Sequence, residues 1–261
     1  MRNDKEERMR VMGIVAALFL TLAGGAWAGS IGDSVEVEIR SDSGGSLPLY
    51  PVDSSYPNRK AYAEAVKGDQ YGIVVRNRLN RRVGVVVAVD GRNIISGKKS
   101  WLRNSERMYI LEPYGVSEFT GWRTGMETIN RFYFTSAGDS YAAAFRDRSA
   151  MGVIAVAVYP EVRRYVEQQE LSRRKSMDRA APAPSARAQS ESAGTGFGSE
   201  EYSPAREVAF EPEAAAAEKI YLKYEWRSTL CRKGIVHCGK ERPSGNRMWN
   251  DDFAPPPPGR R

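Results

Sequence analysis

Apolar and charged residues alternate from Ser34 to Arg40, with Val35, Val37 and Ile39 set against Glu36, Glu38 and Arg40, the period of a strand with one buried face. Short apolar or alternating runs recur at 62–66, 71–78, 83–89, 108–111, 117–122, 129–135 and 152–159. Turn formers separate them, among them Lys67-Gly68-Asp69, Asp90-Gly91 and Ser136-Ala137-Gly138-Asp139. The runs 83–89 and 153–158 are apolar on both faces, which predicts two central strands covered on either side. Segments 71–78 and 83–89 flank Asn80-Arg81-Arg82 and are expected to pair as a hairpin. Strands at this spacing, without long helical patterns between them, predict an all-β fold, a β-sandwich or barrel-like core.

The pattern changes after Pro160. Residues 161–177 place Val162, Tyr165 and Val166 on one side of a helical period, predicting one short helix after the core. Segment 41–58 is expected as a loop, and Tyr141-Ala142-Ala143-Ala144 as one helical turn. From about Ser176 the chain is rich in Ala, Ser, Pro, Gly and charge, too little apolar surface to offset chain entropy. The expected organisation is therefore a core over 33–165, a helix end and flexible linker over 166–204, and a unit over 205–240. That last unit carries strand-like runs at 206–210 and 220–226 and packs on the core. Residues 241–261 end in Ala254-Pro255-Pro256-Pro257-Pro258, which predicts a disordered, extended polyproline tail.

Residues 1–28 read as an export signal. Arg2, Lys5, Arg8 and Arg10 precede an apolar run from Val11 to Gly25, and Ala26-Trp27-Ala28 supplies the small-x-small cleavage pattern. The 17 residues from Val11 to Trp27 are interrupted by three glycines and a threonine, short of the about 20 apolar residues of a spanning helix. The expectation is a periplasmic or extracellular protein cleaved near Ala28; the alternative is an uncleaved signal holding it to the inner membrane. Met9 offers a second start that removes the early acidic residues, and no cysteine follows the cleavage site to take a lipid.

Export changes how the rest is read. The net charge of +7 is a modest excess spread along the chain, so nucleic acid is not the expected partner. Cys231 and Cys238, the only cysteines, are expected to form a disulfide in an oxidising compartment. A zinc site would need His237, the single histidine, but adjacent His237-Cys238 is poor chelate spacing and a fourth ligand is missing. No metal or cofactor is expected.

Three strings suggest chemistry. Asp42-Ser43-Gly44-Gly45 matches the surroundings of a serine-protease nucleophile, yet its base would have to be His237, far downstream in the cysteine loop. Gly194-Thr195-Gly196-Phe197-Gly198 has the glycines of a phosphate loop without a strand predicted before it. Arg76, Arg78, Arg81 and Arg82 gather positive charge, a candidate site for an anionic polymer or for peripheral membrane contact. Trp122, Arg123 and Tyr141 form a second candidate surface, weighed against burial of the tryptophan in the core.

Several of these pieces recur together: Val85-Val86-Val87-Ala88-Val89-Asp90-Gly91-Arg92-Asn93-Ile94-Ile95-Ser96-Gly97, Gly121-Trp122-Arg123, Arg131-Phe132-Tyr133-Phe134-Thr135, Asp139-Ser140-Tyr141-Ala142 and Gly152-Val153-Ile154-Ala155-Val156-Ala157-Val158. In this order they resemble a group of exported bacterial proteins, mostly from Gram-negative species, for which no activity is established. The resemblance spans about residues 60–236 and implies a β fold and an envelope location. Asp90 and Asn93 are expected to brace the turn after 83–89 through side-chain to backbone bonds. The functional expectation is a non-enzymatic binding or adaptor module for a protein or an anionic envelope polymer. The alternative is a carboxylate-dependent hydrolase of envelope glycans using Asp90 or Asp139.

Overall fold

A computed structural model describes residues 27–163 and 192–238. The expected signal up to residue 26, residues 164–177 of the expected helix, the linker up to 191 and the proline-rich tail lie outside the described residues. Along the chain the strands begin with β1 (Trp27–Ala28), β2 (Val35–Ser41), β3 (Gly45–Ser46), β4 (Pro48–Val52), β5 (Asn58–Ala65), β6 (Gln70–Asn77), β7 (Val83–Val89) and β8 (Arg92–Asn93). They continue with β9 (Tyr109–Leu111), β10 (Val116–Phe119), β11 (Gly121–Arg123) and β12 (Thr128–Ser136). A single helical turn, α1 (Tyr141–Ala144), then precedes β13 (Val153–Pro160). After the undescribed stretch come β14 (Ala193–Thr195), β15 (Glu200–Tyr202), β16 (Glu218–Trp226) and α2 (Arg227–Arg232).

These strands form two open sheets packed face to face, an all-β sandwich-like fold with little helix. One sheet runs β1-β4-β5-β16-β13-β7-β8, with β9 added beside β7. The other runs β11-β12-β6-β2-β3, with β10 beside β6 and both β14 and β15 beside β12. Every pairing is antiparallel except β5 with β16. The alternation read in the sequence sets the faces: Val35, Val37 and Ile39 of β2 are buried against Ile220, Leu222 and Tyr224 of β16 and the odd-numbered valines of β7. The doubly apolar character of β7 and β13 has the predicted cause. Their other faces, Val86 and Ala88 of β7 and Ala155, Ala157 and Tyr159 of β13, join Leu102 in a second, smaller cluster.

The expected hairpin between 71–78 and 83–89 is not formed: β6 and β7 lie in different sheets. A short hairpin loop of two or three residues needs a residue with positive φ, and none between Asn77 and Val83 adopts it. Instead the buried Asn77 amide organises an arch between the sheets. Its Nδ2 donates to the carbonyls of Arg81 (2.7 Å) and Glu112 (2.9 Å), and its Oδ1 accepts from Leu79 N–H at 2.9 Å. The true tight hairpin is Val89-Asp90-Gly91-Arg92, where Asp90 (φ 50°) and Gly91 (φ 80°) meet that requirement.

Other boundaries also differ from expectation. The stretch 192–204, assigned to the linker, re-enters the fold: Ala193, Gly194 and Thr195 are buried beside β12, because their small side chains fit under Ser140, Met151 and Ala137. The segment 220–226 is a strand, as expected, and β16 sits between β5 and β13 in the middle of a sheet. Residues 206–210 form no strand, while the loop expected over 41–58 contains β3 and β4. Residues 161–163 are not helical, Glu161 making a single bridge to Pro212.

The arch gives a test. Replacing Asn77 by Ala removes three bonds and leaves the Arg81 carbonyl and the Leu79 N–H without partners, the Glu112 carbonyl keeping Gly115 N–H, a loss of about 3 kcal/mol at about 1 kcal/mol per bond. Urea unfolding should show that loss for Asn77→Ala, and a change within about 0.5 kcal/mol for the exposed Lys67→Ala.

Candidate binding groove

The Asp90-Gly91-Arg92-Asn93 turn spends its polar groups inward. Asn93 Oδ1 accepts from Ile95 N–H (2.9 Å) and Ser96 N–H (3.1 Å), and its Nδ2 donates to the Arg107 carbonyl at 2.8 Å. Arg92 Nη1 donates to the Gly97 carbonyl at 2.6 Å, with its guanidinium 3.9 Å from the Phe145 ring centre. Asp90 reaches across the sandwich. Its Oδ1 accepts from Gly152 N–H (2.7 Å) and the Tyr224 hydroxyl (2.6 Å), and its Oδ2 from Thr195 N–H at 2.7 Å. The Thr195 hydroxyl stands 2.7 Å from both the Tyr224 and Tyr71 hydroxyls. With Tyr224 donating to the carboxylate, the protons run one way, Tyr71 to Thr195 to Tyr224 to Asp90. Burial pushes both phenols well above their ordinary pKa, so they remain donors.

Asp90 is completely buried, and Asp139 sits on the surface accepting a bond from Ser136. The two carboxylates share no cleft. The Asp-Ser-Gly-Gly string is likewise a turn: Ser43 donates to Asp69 (2.9 Å) and Asp42 pairs with Arg131. Cys231 and Cys238 are bonded, their Cα atoms 5.6 Å apart. Among the described residues no group of His, Cys, Asp or Glu could hold a metal ion, and no helix is long and apolar enough to cross a membrane.

The four arginines do not form one patch. Arg81 pairs with Glu213 at 2.6 Å, and Arg82 lies 3.3 Å from Glu161 while donating to the Ala209 carbonyl. Arg76, on the other sheet, faces Glu36 at 3.7 Å, leaving Arg78 exposed and without a carboxylate among the described residues. Trp122 and Tyr141 do meet, ring centres 4.4 Å apart, but as core: Trp122 is buried and donates to the Gly196 carbonyl at 3.0 Å. Arg123, the next residue on β11, points to the opposite face, away from both.

Arg123 leads to a groove of about 770 Å3 between β9 and β10. Its floor is Tyr109 of one sheet stacked on Phe119 of the other at 4.3 Å. Arg123 Nε donates to the Tyr109 hydroxyl (2.8 Å), and its Nη1 to the Ser203 carbonyl (2.8 Å). Segment 203–213 crosses above as a strap. It is pinned at one end by Ser203 N–H to Glu127 and Ala205 N–H to Met126, and at the other by Glu213 N–H to Pro160. Phe210 anchors that second end in space left by Gly84, where a Cβ would fall 2.8 Å from the ring. Between the anchors, residues 206–209 are exposed. Arg107 meets Glu207 at 3.1 Å with both side chains more than 60% exposed, an ion pair of little strength.

Both groove walls are strand edges. Among the described residues β9 pairs only with β7, and β10 only with β6. Asn77 N–H bonds the Gly115 carbonyl, so antiparallel alternation turns the N–H and C=O groups of Val116 and Glu118 away from β6. The charges lining the groove largely cancel: Glu118 lies 3.8 Å from Arg40, Glu112 lies 3.9 Å from Arg82, and Glu106 is consumed by the N–H groups of Trp101 and Arg103. An arrangement of apolar floor, pliable Met108 and Met126 and free backbone edges suits an extended chain, not a small charged molecule.

No protein-family model matches the chain, nor does any curated protein or solved structure compared with it. Of the groove, sequence reasoning found Arg123 alone. Gly84, interrupting an otherwise valine-and-alanine strand, was the readable signal for a close approach on β7.

Burial raises the Asp90 carboxyl from 3.8 to about 6, against the lowering effect of its three bonds. Folded protein therefore holds this proton where the unfolded chain has lost it. Stability linked to Asp90 is full below about pH 4 and falls as pH rises through about 6, by about 3 kcal/mol at 1.36 kcal/mol per unit. In Asp90→Asn an amide NH2 must face a backbone N–H, so the variant is less stable throughout. Urea unfolding from pH 3.5 to 7.5 should show its deficit shrinking by about that amount as pH rises; a pH-independent deficit contradicts the assignment.

Proposed function

We propose that this protein is an exported, non-enzymatic β-sandwich module of the bacterial envelope that holds an extended segment of a partner protein along the groove between β9 and β10. The observation that carries the reading is the pair of strand edges, each bonded on one side, facing a floor of Tyr109 and Phe119. An incoming strand gains main-chain hydrogen bonds from Val116 and Glu118 and places alternate side chains on the aromatic floor. Export rests on the signal pattern of residues 1–28 and its cleavage near Ala28, on the resemblance to exported bacterial proteins, and on the Cys231–Cys238 disulfide, which suits an oxidising compartment. The near-neutral groove favours a polypeptide over a polyanion here, and Arg81 and Arg82 are already committed to carboxylates.

The test uses peptides selected from a random displayed library on the full chain. Val116→Pro removes one edge donor at an exposed position where an edge strand tolerates proline. It should weaken the selected peptides about tenfold, one charge-free bond plus lost registry, while the thermal midpoint stays within a few degrees. Peptide binding should also slow amide exchange at Glu118. Unchanged affinity in Val116→Pro, with exchange slowed elsewhere, rules out the groove.

A further inference from the structure

We propose that the outer face of β5 and β16 is a separate binding site for an acidic polysaccharide, with Tyr221 receiving a sugar face and Lys60 and Lys219 receiving carboxylates, beside Tyr62 and Lys223, which are already engaged by Lys233 and by the Met151 carbonyl. The inner residues of these strands, Ala61, Ala63, Ile220, Leu222 and Tyr224, are in the core, so strand alternation sends the intervening side chains outward. Register then sets an ordered pattern. Tyr62 stands opposite Lys223, and Lys60 opposite Tyr221, across the parallel pair. Lys219 and Lys223 flank Tyr221 along β16, so aromatic rings and ammonium groups alternate in both directions. Val52, Tyr62, Val153 and Tyr221 border a depression of about 450 Å3 on this face, with Lys60 and Lys223 at its polar side.

Charge on this face is not cancelled. Glu64 is held by Arg227 at 2.9 Å and Glu225 by Lys233 at 2.9 Å. Lys60 is exposed, and neither it nor Lys219 has a carboxylate partner among the described residues. Lys223 lies 3.8 Å from the already committed Glu225 and donates to the Met151 carbonyl. Burial pushes the Lys223 ammonium below its usual pKa, against the raising effect of Glu225 and Asp90. A tyrosine presents an apolar ring with a polar tip, suited to stacking under a sugar whose hydroxyls stay bonded. Lysine supplies a mobile point charge that follows a polymer better than a fixed fork does. Repeating sugar rings with repeating carboxylates match an alternating ring-and-ammonium surface; none of these residues belongs to the groove.

The experiment is calorimetric titration of the full chain with oligogalacturonate, with dextran, polyphosphate and polyglutamate as comparisons. Oligogalacturonate should bind at low salt and dextran should not. Lys60→Ala, at an exposed position, should weaken oligogalacturonate roughly tenfold, as for a hydrogen bond to a charged group. Tyr221→Leu should weaken it by a similar factor without changing any polyphosphate binding, and Tyr221→Phe should retain it, separating the ring from the fold. Val116→Pro should leave it unaffected, which distinguishes this site from the groove. Equal binding of dextran overturns the role of charge. Tighter binding of polyphosphate or polyglutamate, indifferent to Tyr221→Leu, overturns the sugar assignment, and no oligogalacturonate binding at low salt overturns the proposal.

Discussion

The Asp90 carboxylate is the constraint on which the assembly depends. It sits at the tip of the β7–β8 hairpin, fully buried, and is bonded by groups 62, 105 and 134 residues away in the chain. A charge without water is tolerated only when its lone pairs are filled by well-placed donors. That demand brings the start of β13, the whole of β14 and the end of β16 to one point. Tyr71 of β6 joins through Thr195, so the network touches both sheets. Hydrophobic burial alone would let β14 slide along β12, since Ala193, Gly194 and Thr195 offer little shape to read. The single acceptor for Thr195 N–H fixes the register.

The rest of the sandwich follows from that corner. Tyr224 and Tyr71 each supply a hydroxyl to the network and a ring to the core. Tyr71 stacks on Phe134 at 4.2 Å and Tyr224 tilts onto the same ring at 5.2 Å. The polar chain and the aromatic cluster are therefore one unit, and displacing either breaks both. The cluster extends to β11 through the buried Trp122, edge-on to Phe132 at 5.3 Å and bonded to Gly196 just after β14.

Much of this architecture was legible in the sequence because strand burial is a local property. Val35-Glu36-Val37-Glu38-Ile39 declares its inner face without reference to any partner, and the double-sided apolarity of β7 and β13 declares a central position. What was not legible depends on partners far along the chain. Arg81 and Arg82 read as a basic hairpin until Glu161 and Glu213 arrive from 79 and 132 residues away to pair with them. Asn77 looked like the end of a strand, yet its amide carries the chain to the other sheet. Asp90 was singled out as a turn-bracing residue, but its bonds reach past the turn to segments that showed no polar signal of their own. The stretch 192–195 was misread for the same reason: three small residues bury well only where a fitted pocket exists, and composition cannot report the pocket.

The strap explains how two strand edges can stand open in a stable protein. Unpaired edges invite any chain to add a strand, and proteins protect them with charge, short strands or a covering segment. Here β9 and β10 are three and four residues long, Glu118 projects from one of them, and 203–213 passes overhead. The protection is uneven. Both ends of the strap are fixed by backbone bonds, by Arg123 and by Phe210, whereas 206–209 is held by an exposed ion pair and the Ala209 carbonyl. A partner strand that lifts this middle portion loses little bonding and recovers main-chain hydrogen bonds along the β10 edge. A strand that fails to fill the Tyr109–Phe119 floor cannot compensate for ordering its own backbone, at about 1–2 kcal/mol per residue. Selectivity at the groove is thus set by side-chain fit to the aromatic floor, while the backbone edges contribute affinity shared by any extended chain.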